Sequence, residues 1–277
     1  HSRVSPRVGL GVRLSDRVRW SASAGRYFQQ PFFLFLSAFP ENASLSPIRA
    51  DHVVTGFTFQ PDALTRITLE GYVKRYEDYP VSTQFPTLSL ANVGDTFNVR
   101  EVLFPLTSQG RGRAEGVELF VERAPGQRWF GQANLSVARS RQAGLDTVLR
   151  PGSFDYPFVV NVSGGFDLTT NWQVSTRMAY LGGRPYTPFD DTLSTSVGRG
   201  IFDLTRVNGE RAPAYFRLDL RAQRTFNFSR PLVVFFGVQN VTNRKNFSAY
   251  TWNRRTNSVR FQEQQGLFPI LGLEWKF

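Results

Sequence analysis

The stretch that decides the fold reads Leu267-Phe268-Pro269-Ile270-Leu271-Gly272-Leu273-Glu274-Trp275-Lys276-Phe277. Every second residue from Leu267 to Phe277 is apolar or Pro, whereas the other parity carries Gly272, Glu274 and Lys276. Because side chains alternate across a strand, one face is an apolar stripe and the other becomes polar. A strand of a soluble sandwich would show the same alternation. Soluble chains seldom end on their most apolar strand, however, because termini usually fray in water.

Composition narrows the class of protein. The chain has 277 residues and no Cys, so disulfides and thiolate metal sites are excluded. Even the longest apolar runs, such as Phe32–Leu36 within Pro31–Phe39, are far shorter than the roughly 18 residues of a spanning helix. A membrane protein without such runs must be a closed barrel, because lipid cannot satisfy open backbone groups.

Basic residues outnumber acidic residues, with a formal net charge of +11. Only Lys74, Lys245 and Lys276 are lysines, so nearly all of the positive charge is on Arg. A basic balance is one sign of nucleic-acid binding. The arginines are spread along the whole chain rather than clustered, which argues against a nucleic-acid partner.

Period-two alternation recurs along the chain and predicts eleven strands. The predicted ranges are 3–14, 17–28, 51–60, 64–76, 113–123, 128–139, 157–168, 172–181, 214–225, 231–241 and the segment from 267 onward. The pattern is cleanest in 214–225, whereas 231–241 is apolar on both parities and leaves its register open. No internal repeat or helical period stands out.

Short and long connections alternate between these strands. The long ones are predicted at 29–50, 77–112, 140–156, 182–213 and 242–265, and tight turns lie between them. The polar parity also holds charges, which a sandwich core would reject at a cost of several kcal/mol each. A water-filled lumen accepts charges, so the pattern predicts an antiparallel transmembrane β-barrel.

Aromatic residues separate by type along the predicted strands. Trp20, Trp129 and Trp172 closely follow short turns, and Trp275 lies in the last strand, whereas Trp252 falls in a long loop. The nine Tyr residues fall towards the long loops. Amphipathic rings collect at membrane–water interfaces, so two aromatic belts are expected.

Strand direction bears on how much of a barrel is present. If the last strand ends on the periplasmic side, counting back eleven strands places the start of the first on the outer side. At least one strand is then expected before His1, since the first strand would otherwise expose an open edge. We therefore interpret residues 1–277 as the C-terminal portion of one larger barrel domain.

Several motifs resemble those of TonB-dependent receptors. The terminal alternation ending in Phe277 is similar to the C-terminal signature of bacterial outer-membrane barrels. Val238–Lys245 resembles the penultimate-strand signature of the family, with Asn240, Thr242, Asn243 and Lys245 as its matching residues and Phe247 as the following aromatic. Ser46–His52 and Gly116–Leu119 resemble other strand entries of the family more loosely.

The resemblance implies a fold and a function. Family members form barrels of about 22 strands with a plugged lumen, and eleven strands are about half of one. The implied function is TonB-driven import of a scarce ligand across the outer membrane, with the plug and the TonB-contacting part absent from this chain. The implied partners are TonB through the missing N-terminal part, the barrel-assembly machinery, outer-membrane lipid and the unknown ligand. The assembly signal would comprise Leu271, Leu273, Trp275 and Phe277.

Two sets of residues are candidates for the lumen and for ligand binding. The period-two pattern places a polar set in the lumen: Arg217, Asp219, Arg221, Gln223, Glu274 and Lys276. It turns an apolar set to lipid: Phe216, Leu218, Leu220, Leu271, Leu273 and Trp275. The candidate ligand contacts in the outer loops are Phe33, Phe35, Arg184, Tyr186, Trp252, Arg254 and Arg255. The apolar segment Pro31–Phe39 is expected either to contact ligand or partner at the barrel mouth, or to extend the second strand and pack on lipid or a neighbouring loop.

No catalytic constellation, cofactor motif or metal site is predicted, and the chain is not expected to be an enzyme. Asp51-His52 is interpreted as a structural pair, since no Ser can be assigned to complete a triad. Gly9-Leu10-Gly11 lacks the third Gly of a dinucleotide site. Asp190-Asp191 and Glu77-Asp78 are interpreted as solvated loop charges in preference to Ca²⁺ ligands. Two alternatives to a transporter stay open: a smaller porin-like or structural outer-membrane barrel, and a secreted β-rich binding module.

Overall fold

The computed structural model describes residues 3–93 and 104–275. One antiparallel sheet dominates them, and its strands follow chain order from edge to edge. The main strands are β1 (Arg7–Arg13), β2 (Val18–Gln29), β3 (Ile48–Phe59), β4 (Thr65–Ser82), β5 (Leu106–Arg123), β6 (Trp129–Ala143), β8 (Phe158–Asp167), β9 (Trp172–Leu181), β12 (Tyr215–Phe226), β13 (Leu232–Gln239) and β16 (Phe268–Trp275). The prediction of eleven strands in an all-β antiparallel architecture is confirmed. Within the described residues the sheet is open, with β1 and β16 at its edges.

Smaller elements lie in the connections. They are α1 (Phe33–Ala38), the short strand β7 (Arg150–Pro151), β10 (Pro185–Tyr186), α2 (Asp191–Val197), β11 (Glu210–Arg211), β14 (Phe247–Asn253) and β15 (Ser258–Glu263), together with two 3₁₀ turns at Pro40–Ser44 and Leu204–Arg206. β10 pairs with β11, and β14 pairs with β15. In the parts of the chain that the structure describes, no helix has the length and apolar character needed to cross a membrane.

The connections alternate as the sequence predicts. Short turns occupy 14–17, 60–64, 124–128, 168–171 and 227–231, and long connections occupy 30–47, 83–105, 144–157, 182–214 and 240–267. We call the corresponding ends of the sheet the short-turn end and the long-loop end. Trp129 and Trp172 begin their strands at the short-turn end, in agreement with the prediction for the Trp residues.

The sheet has an apolar face and a polar face. The apolar face exposes large side chains on every main strand except β2, among them Leu10, Phe57, Leu69, Leu135, Leu220, Phe236 and Leu273. The polar face carries cross-strand pairs instead. Arg66 donates to Glu122 at 2.7 Å, and Gln223 donates to Gln173 at 3.1 Å. The alternation read from the sequence therefore produces two chemically distinct faces.

Cross-strand pairing resolves the ambiguous register of β13. Phe236 lies opposite Ala222 and Leu271, so it belongs to the apolar face, where it is 53% exposed. Phe235 points to the polar face, where the Arg221 guanidinium lies 3.8 Å from the centre of its ring.

One loop prediction is wrong in extent. The long connection expected at 77–112 is shorter, because β4 continues to Ser82 and β5 already begins at Leu106. The pairing of β4 with β5 continues past Pro80, with register shifts on either side of Tyr79. Sheets tolerate Pro at such irregularities because no ladder hydrogen bond from its nitrogen is needed there. The connections predicted at 182–213 and 242–265 each contain a short antiparallel strand pair, β10 with β11 and β14 with β15. These strands are too short to show a clear period in the sequence.

The segment Pro31–Phe39 does not extend the second strand. β2 ends at Gln29, and Phe33–Ala38 forms helix α1. Proline lacks the N–H that would continue the ladder at position 31. Part of the helix packs on neighbouring connections, as the alternative interpretation expected. Phe35 and Leu36 lie against a buried cluster of Leu45, Leu88, Val93, Phe104, Leu106 and Val207.

Candidate ligand-binding site at the long-loop end

An aromatic cluster forms where the connections 182–214 and 240–267 meet. Tyr186 lies 4.6 Å from Tyr250 between ring centres, and Phe189 stacks on Phe202 at 4.8 Å. Phe189 also meets Trp252 edge to face at 5.9 Å. Aromatic pairs at such distances add roughly 0.5–1.5 kcal/mol each beyond the area that they bury. The cluster therefore holds two long connections together without a regular sheet between them.

A hydrogen-bond chain extends this cluster towards the other connections. Tyr250, which is buried, donates its hydroxyl to the carbonyl of Thr187 at 2.5 Å. The Thr187 hydroxyl accepts from the N–H of Asn208 at 3.0 Å. Asn208 in turn donates its amide to the carbonyls of Asn92 and Pro151. These hydrogen bonds link the four connections 83–105, 144–157, 182–214 and 240–267 at the long-loop end.

The candidate residues predicted from sequence fall into two groups here. Tyr186 and Trp252 belong to the aromatic cluster, and the Arg184 guanidinium lies 5.4 Å from the ring centre of Phe247 while donating to the carbonyl of Ser248. Burial and the nearby Glu210 charge raise the pKa of the Tyr186 hydroxyl, so this group stays neutral at physiological pH. The structure brings these three predicted residues together.

Arg254 and Arg255 lie apart from the rings, in the turn between β14 and β15. Both are exposed, and neither guanidinium has a partner among residues 3–93 and 104–275. The turn is held by the N–H of Arg255, which donates to the Asn253 side chain at 3.0 Å. Two uncommitted cations therefore stand close in sequence to the aromatic cluster.

Phe33 and Phe35 lie on α1 and differ in environment. Phe33 is 78% exposed, whereas Phe35 packs on the buried cluster below the helix. Asn42 anchors this region, since its amide donates to the Phe35 carbonyl at 2.7 Å and its side-chain oxygen accepts from the Leu106 N–H. Sequence alone did not separate an outward Phe from an inward one.

The candidate lumen residues of β12 share the polar face. Arg217 donates to both carboxylate oxygens of Asp219, at 2.7 and 3.0 Å. Arg221 and Gln223 continue the same face, and Leu218 and Leu220 lie on the opposite parity. Glu274 pairs with Val233 in the β13–β16 ladder, whereas Lys276 and Phe277 lie outside the described residues. Leu271, Leu273 and Trp275 are among the most exposed apolar residues of the sheet.

The motif residues after β13 form a hydrogen-bonded turn. Asn240 is buried in a left-handed backbone conformation with φ of 50°. Its amide donates to the carbonyls of Arg244 and Gln265, and its side-chain oxygen accepts from the Arg244 N–H and the Thr242 hydroxyl. Asn tolerates this conformation better than most residues, since its short side chain bonds locally. This explains the Asn at the head of the motif.

The second half of the motif closes the connection. Asn243 also adopts a positive φ, of 53°, and its side chain accepts from the N–H of Leu267 at 3.0 Å. The Lys245 ammonium lies close to Gly266, where an added Cβ would come within 3.0 Å of it. The motif therefore joins the end of β13 to the start of β16.

Asp51 and His52 do not act as a pair. They are adjacent in β3 and point to opposite faces of the sheet. The Arg26 guanidinium forms a bidentate ion pair with the two Asp51 carboxylate oxygens, at 2.7 and 3.0 Å. The His52 ring centre lies 4.7 Å from that of Tyr27. In residues 3–93 and 104–275, no group of three or more His, Asp or Glu side chains is arranged to hold a metal ion.

An open antiparallel sheet with one apolar and one charged face, short turns at one end and tied loops at the other, is the architecture of part of an outer-membrane β-barrel. The sequence matches the family model of the TonB-dependent receptor-like β-barrel over residues 1–241. The chain belongs to this family. Family membership places it in the bacterial outer membrane.

Solved structures share the fold at low sequence identity. The ferripyoverdine receptor of the Pseudomonas aeruginosa outer membrane is 14% identical with a TM-score of 0.69, and covers 99% of this chain and 33% of its own. The ferric-catecholate import receptor Fiu from Escherichia coli K12 is 12% identical with a TM-score of 0.66, and the match covers 96% of this chain and 34% of that receptor. The FrpB iron transporter from Neisseria meningitidis is 14% identical with a TM-score of 0.65, and the match covers 99% of this chain and 39% of that transporter. The chain thus spans about a third of the length of these structures, and no curated protein sequence matches it significantly.

Proposed function

We propose that this chain is the C-terminal barrel portion of a TonB-dependent transporter that imports an anionic ferric chelate across the outer membrane. The observation that carries the proposal is the arginine-flanked aromatic cluster at the long-loop end, formed by Tyr186, Phe189, Tyr250 and Trp252 with Arg184 at its side. Rings offer contact area to an organic chelator, and the guanidinium groups of Arg254 and Arg255 in the adjoining turn attract negative charge.

The polar face supports a water-filled interior. Its charges are paired, across strands in Arg66–Glu122 and along β12 in Arg217–Asp219, and they lie opposite a face of exposed apolar residues. Both faces are stable if lipid covers the exposed apolar side chains and water fills the space beside the charged ones. In this arrangement Arg217, Asp219, Arg221, Gln223 and Glu274 line the lumen.

The remaining parts of the transporter lie outside this chain in the proposal. A plug, further strands and a TonB-contacting segment belong to the full-length protein, which accords with the chain covering about a third of its structural matches. The exposed stripe of Leu271, Leu273 and Trp275 then serves as the contact for the barrel-assembly machinery. The ligand class follows from the named cargoes of the matched receptors, which are ferric catecholate and ferripyoverdine complexes.

The test is uptake of radiolabelled ferric catecholate and ferripyoverdine by cells producing the full-length receptor. Uptake should require TonB and fall several-fold in the double variant Arg254→Gln/Arg255→Gln. Arg128→Gln, an exposed arginine in a short turn, is the matched control. Uptake that is independent of TonB, or that no anionic chelate supports, would contradict the proposal.

A further inference from the structure

Arginines form a row on the apolar face near the long-loop end. Cross-strand registers place Arg75 directly opposite Arg113, and Arg113 directly opposite Arg141. All three belong to the parity that carries Val73, Val117 and Val137, so they project from the apolar face and not from the polar one. Neighbouring positions add Arg111 and Arg139 on the same parity.

Such a row is unfavourable on its own. Like charges directly opposite each other in an antiparallel pair destabilise the sheet. The positive charge of Arg113 is partly compensated by Glu115, whose carboxylate oxygen lies 2.5 Å from the Arg113 guanidinium. Arg75, Arg139 and Arg141 are exposed and have no hydrogen-bond or ion-pair partner among the described residues. A bound anion would remove this repulsion.

A groove lies beside these arginines on the same face. Its floor is formed by Val53, Val73, Val117 and Val137, and its volume is about 830 Å³. Arg139 and Arg141 line it towards the long-loop end, together with Arg211 from the 182–214 connection. Arg211 is already bound to Asp155. The groove thus joins an apolar floor to a rim of three arginines and two carboxylates, Glu115 and Asp155, each of which is bound to an arginine.

The short-turn end of the same face offers a contrast. An apolar depression of about 440 Å³ there contains one arginine, Arg123. Its guanidinium donates to Thr65 at 2.7 Å and Gln127 at 2.9 Å, and it lies 4.5 Å from the Trp129 ring centre. The other arginine at this end of the apolar face, Arg224, lies against the rings of Trp172 and Phe226, so neither cation there forms part of a row of arginines.

We propose that Arg75, Arg113, Arg139 and Arg141 bind the phosphate of a membrane-lipid head group, whose apolar chain lies in the valine-floored groove. The inference rests on the proposed orientation, in which the apolar face contacts lipid. Successive residues of a strand rise by about 3.4 Å, so Arg113 and Arg141 lie roughly 13 Å along their strands from Val117 and Val137. The apolar floor and the arginines of the rim match the two parts of an anionic lipid. Guanidinium groups bind phosphate by paired charge-assisted hydrogen bonds.

The experiment measures lipids retained by the full-length receptor in neutral detergent, by native mass spectrometry. The probes are phosphatidic acid, phosphatidylcholine with the same acyl chains, and inorganic phosphate. Wild type should retain phosphatidic acid in preference to phosphatidylcholine and should not retain inorganic phosphate. The variant Arg139→Gln/Arg141→Gln should lose roughly tenfold in apparent affinity for phosphatidic acid.

The matched control is Arg17→Gln/Arg19→Gln, two exposed arginines at the short-turn end of β2. Heat-modifiable electrophoretic migration verifies that each variant has assembled as a barrel. Equal retention of phosphatidic acid by the Arg139/Arg141 variant and wild type would overturn the inference. Retention of inorganic phosphate as strong as that of the lipid would overturn it too, by indicating a free-anion site.

The outcome is separable from the proposed transport function. Arg139 and Arg141 project from the face opposite the predicted lumen, so ferric-chelate uptake should persist in their variant. Normal uptake with unchanged lipid retention refutes the lipid site alone. Absent uptake by wild type with selective lipid retention refutes the transport proposal alone.

Discussion

The Asn240 backbone N–H donates to the Asp219 carboxylate at 2.8 Å, and the same carboxylate oxygen accepts from Arg217 at 2.7 Å. One side chain of the predicted lumen thereby holds the first residue of the family motif. Replacing Asp219 by Ala leaves the half-buried Arg217 and the Asn240 N–H without their acceptor. We expect a loss of about 1–3 kcal/mol in the free energy of unfolding of the full-length receptor.

Chemical unfolding in detergent measures the Asp219→Ala effect. Asp16→Ala is the control, since the Arg13–Asp16 pair is highly exposed in a tight turn. That change should alter the free energy of unfolding by less than about 0.5 kcal/mol. Equal effects of the two substitutions would show that the Asp219–Asn240 link contributes no specific stability.

Leu220 is 48% exposed on the apolar face of β12. If this face contacts lipid, Leu220→Arg near mid-membrane should destabilise the assembled barrel by roughly 2–4 kcal/mol. Gln132→Arg, an exposed position on the polar face, is the matched control and should have little effect. Folding into lipid vesicles provides the measurement, and equal tolerance of the two arginines would contradict the assigned faces.

Phe33 and Phe35 should respond differently to replacement by Ser. Phe35→Ser should cost about 1–2 kcal/mol, because the ring is partly buried and complete burial of such a side chain is worth about 1.5–3 kcal/mol. Phe33→Ser should leave the free energy of unfolding unchanged, since its ring is exposed. Ligand uptake measured alongside unfolding tests the contact role. A loss of uptake in Phe33→Ser at full stability supports a ligand or partner contact, and unchanged uptake leaves α1 a packing element.

Asp146 should make the 144–157 connection sensitive to acid. Burial alone would raise the pKa of Asp146, but hydrogen bonds from Arg150 and the Val148 N–H outweigh it and lower this pKa below its usual range. The ion pair therefore contributes stability above the unfolded-state pKa of about 4, and the contribution is lost as pH falls through the lower folded-state pKa. The difference in thermal midpoint between wild type and Asp146→Asn should be present at neutral pH and shrink in strong acid. A difference that does not vary with pH would contradict this assignment.

Sequence determined the strands and their two faces, because the period-two alternation depends only on neighbouring residues within each segment. The clean alternation of 214–225 was sufficient to place Arg217 and Leu218 on opposite faces, and turn chemistry such as Pro61-Asp62 marked the short ends. The motif at Asn240 was recognised by resemblance alone. Its hydrogen bonds to Asp219 and Gln265 join separate segments, so no local pattern could predict them.

Tertiary structure decided everything that depends on which segments meet. Both parities of 231–241 are apolar, so only pairing with β12 and β16 could turn Phe236 outward and Phe235 towards Arg221. The helix at Phe33–Ala38 separates an exposed ring from a packed one, and the predicted site residues Tyr186 and Trp252 meet only because two connections fold onto each other. The arginine row exists because register aligns residues 75, 113 and 141, which lie far apart in the chain. Alternation is a property of neighbours along a strand, whereas sites arise from contacts between strands and loops.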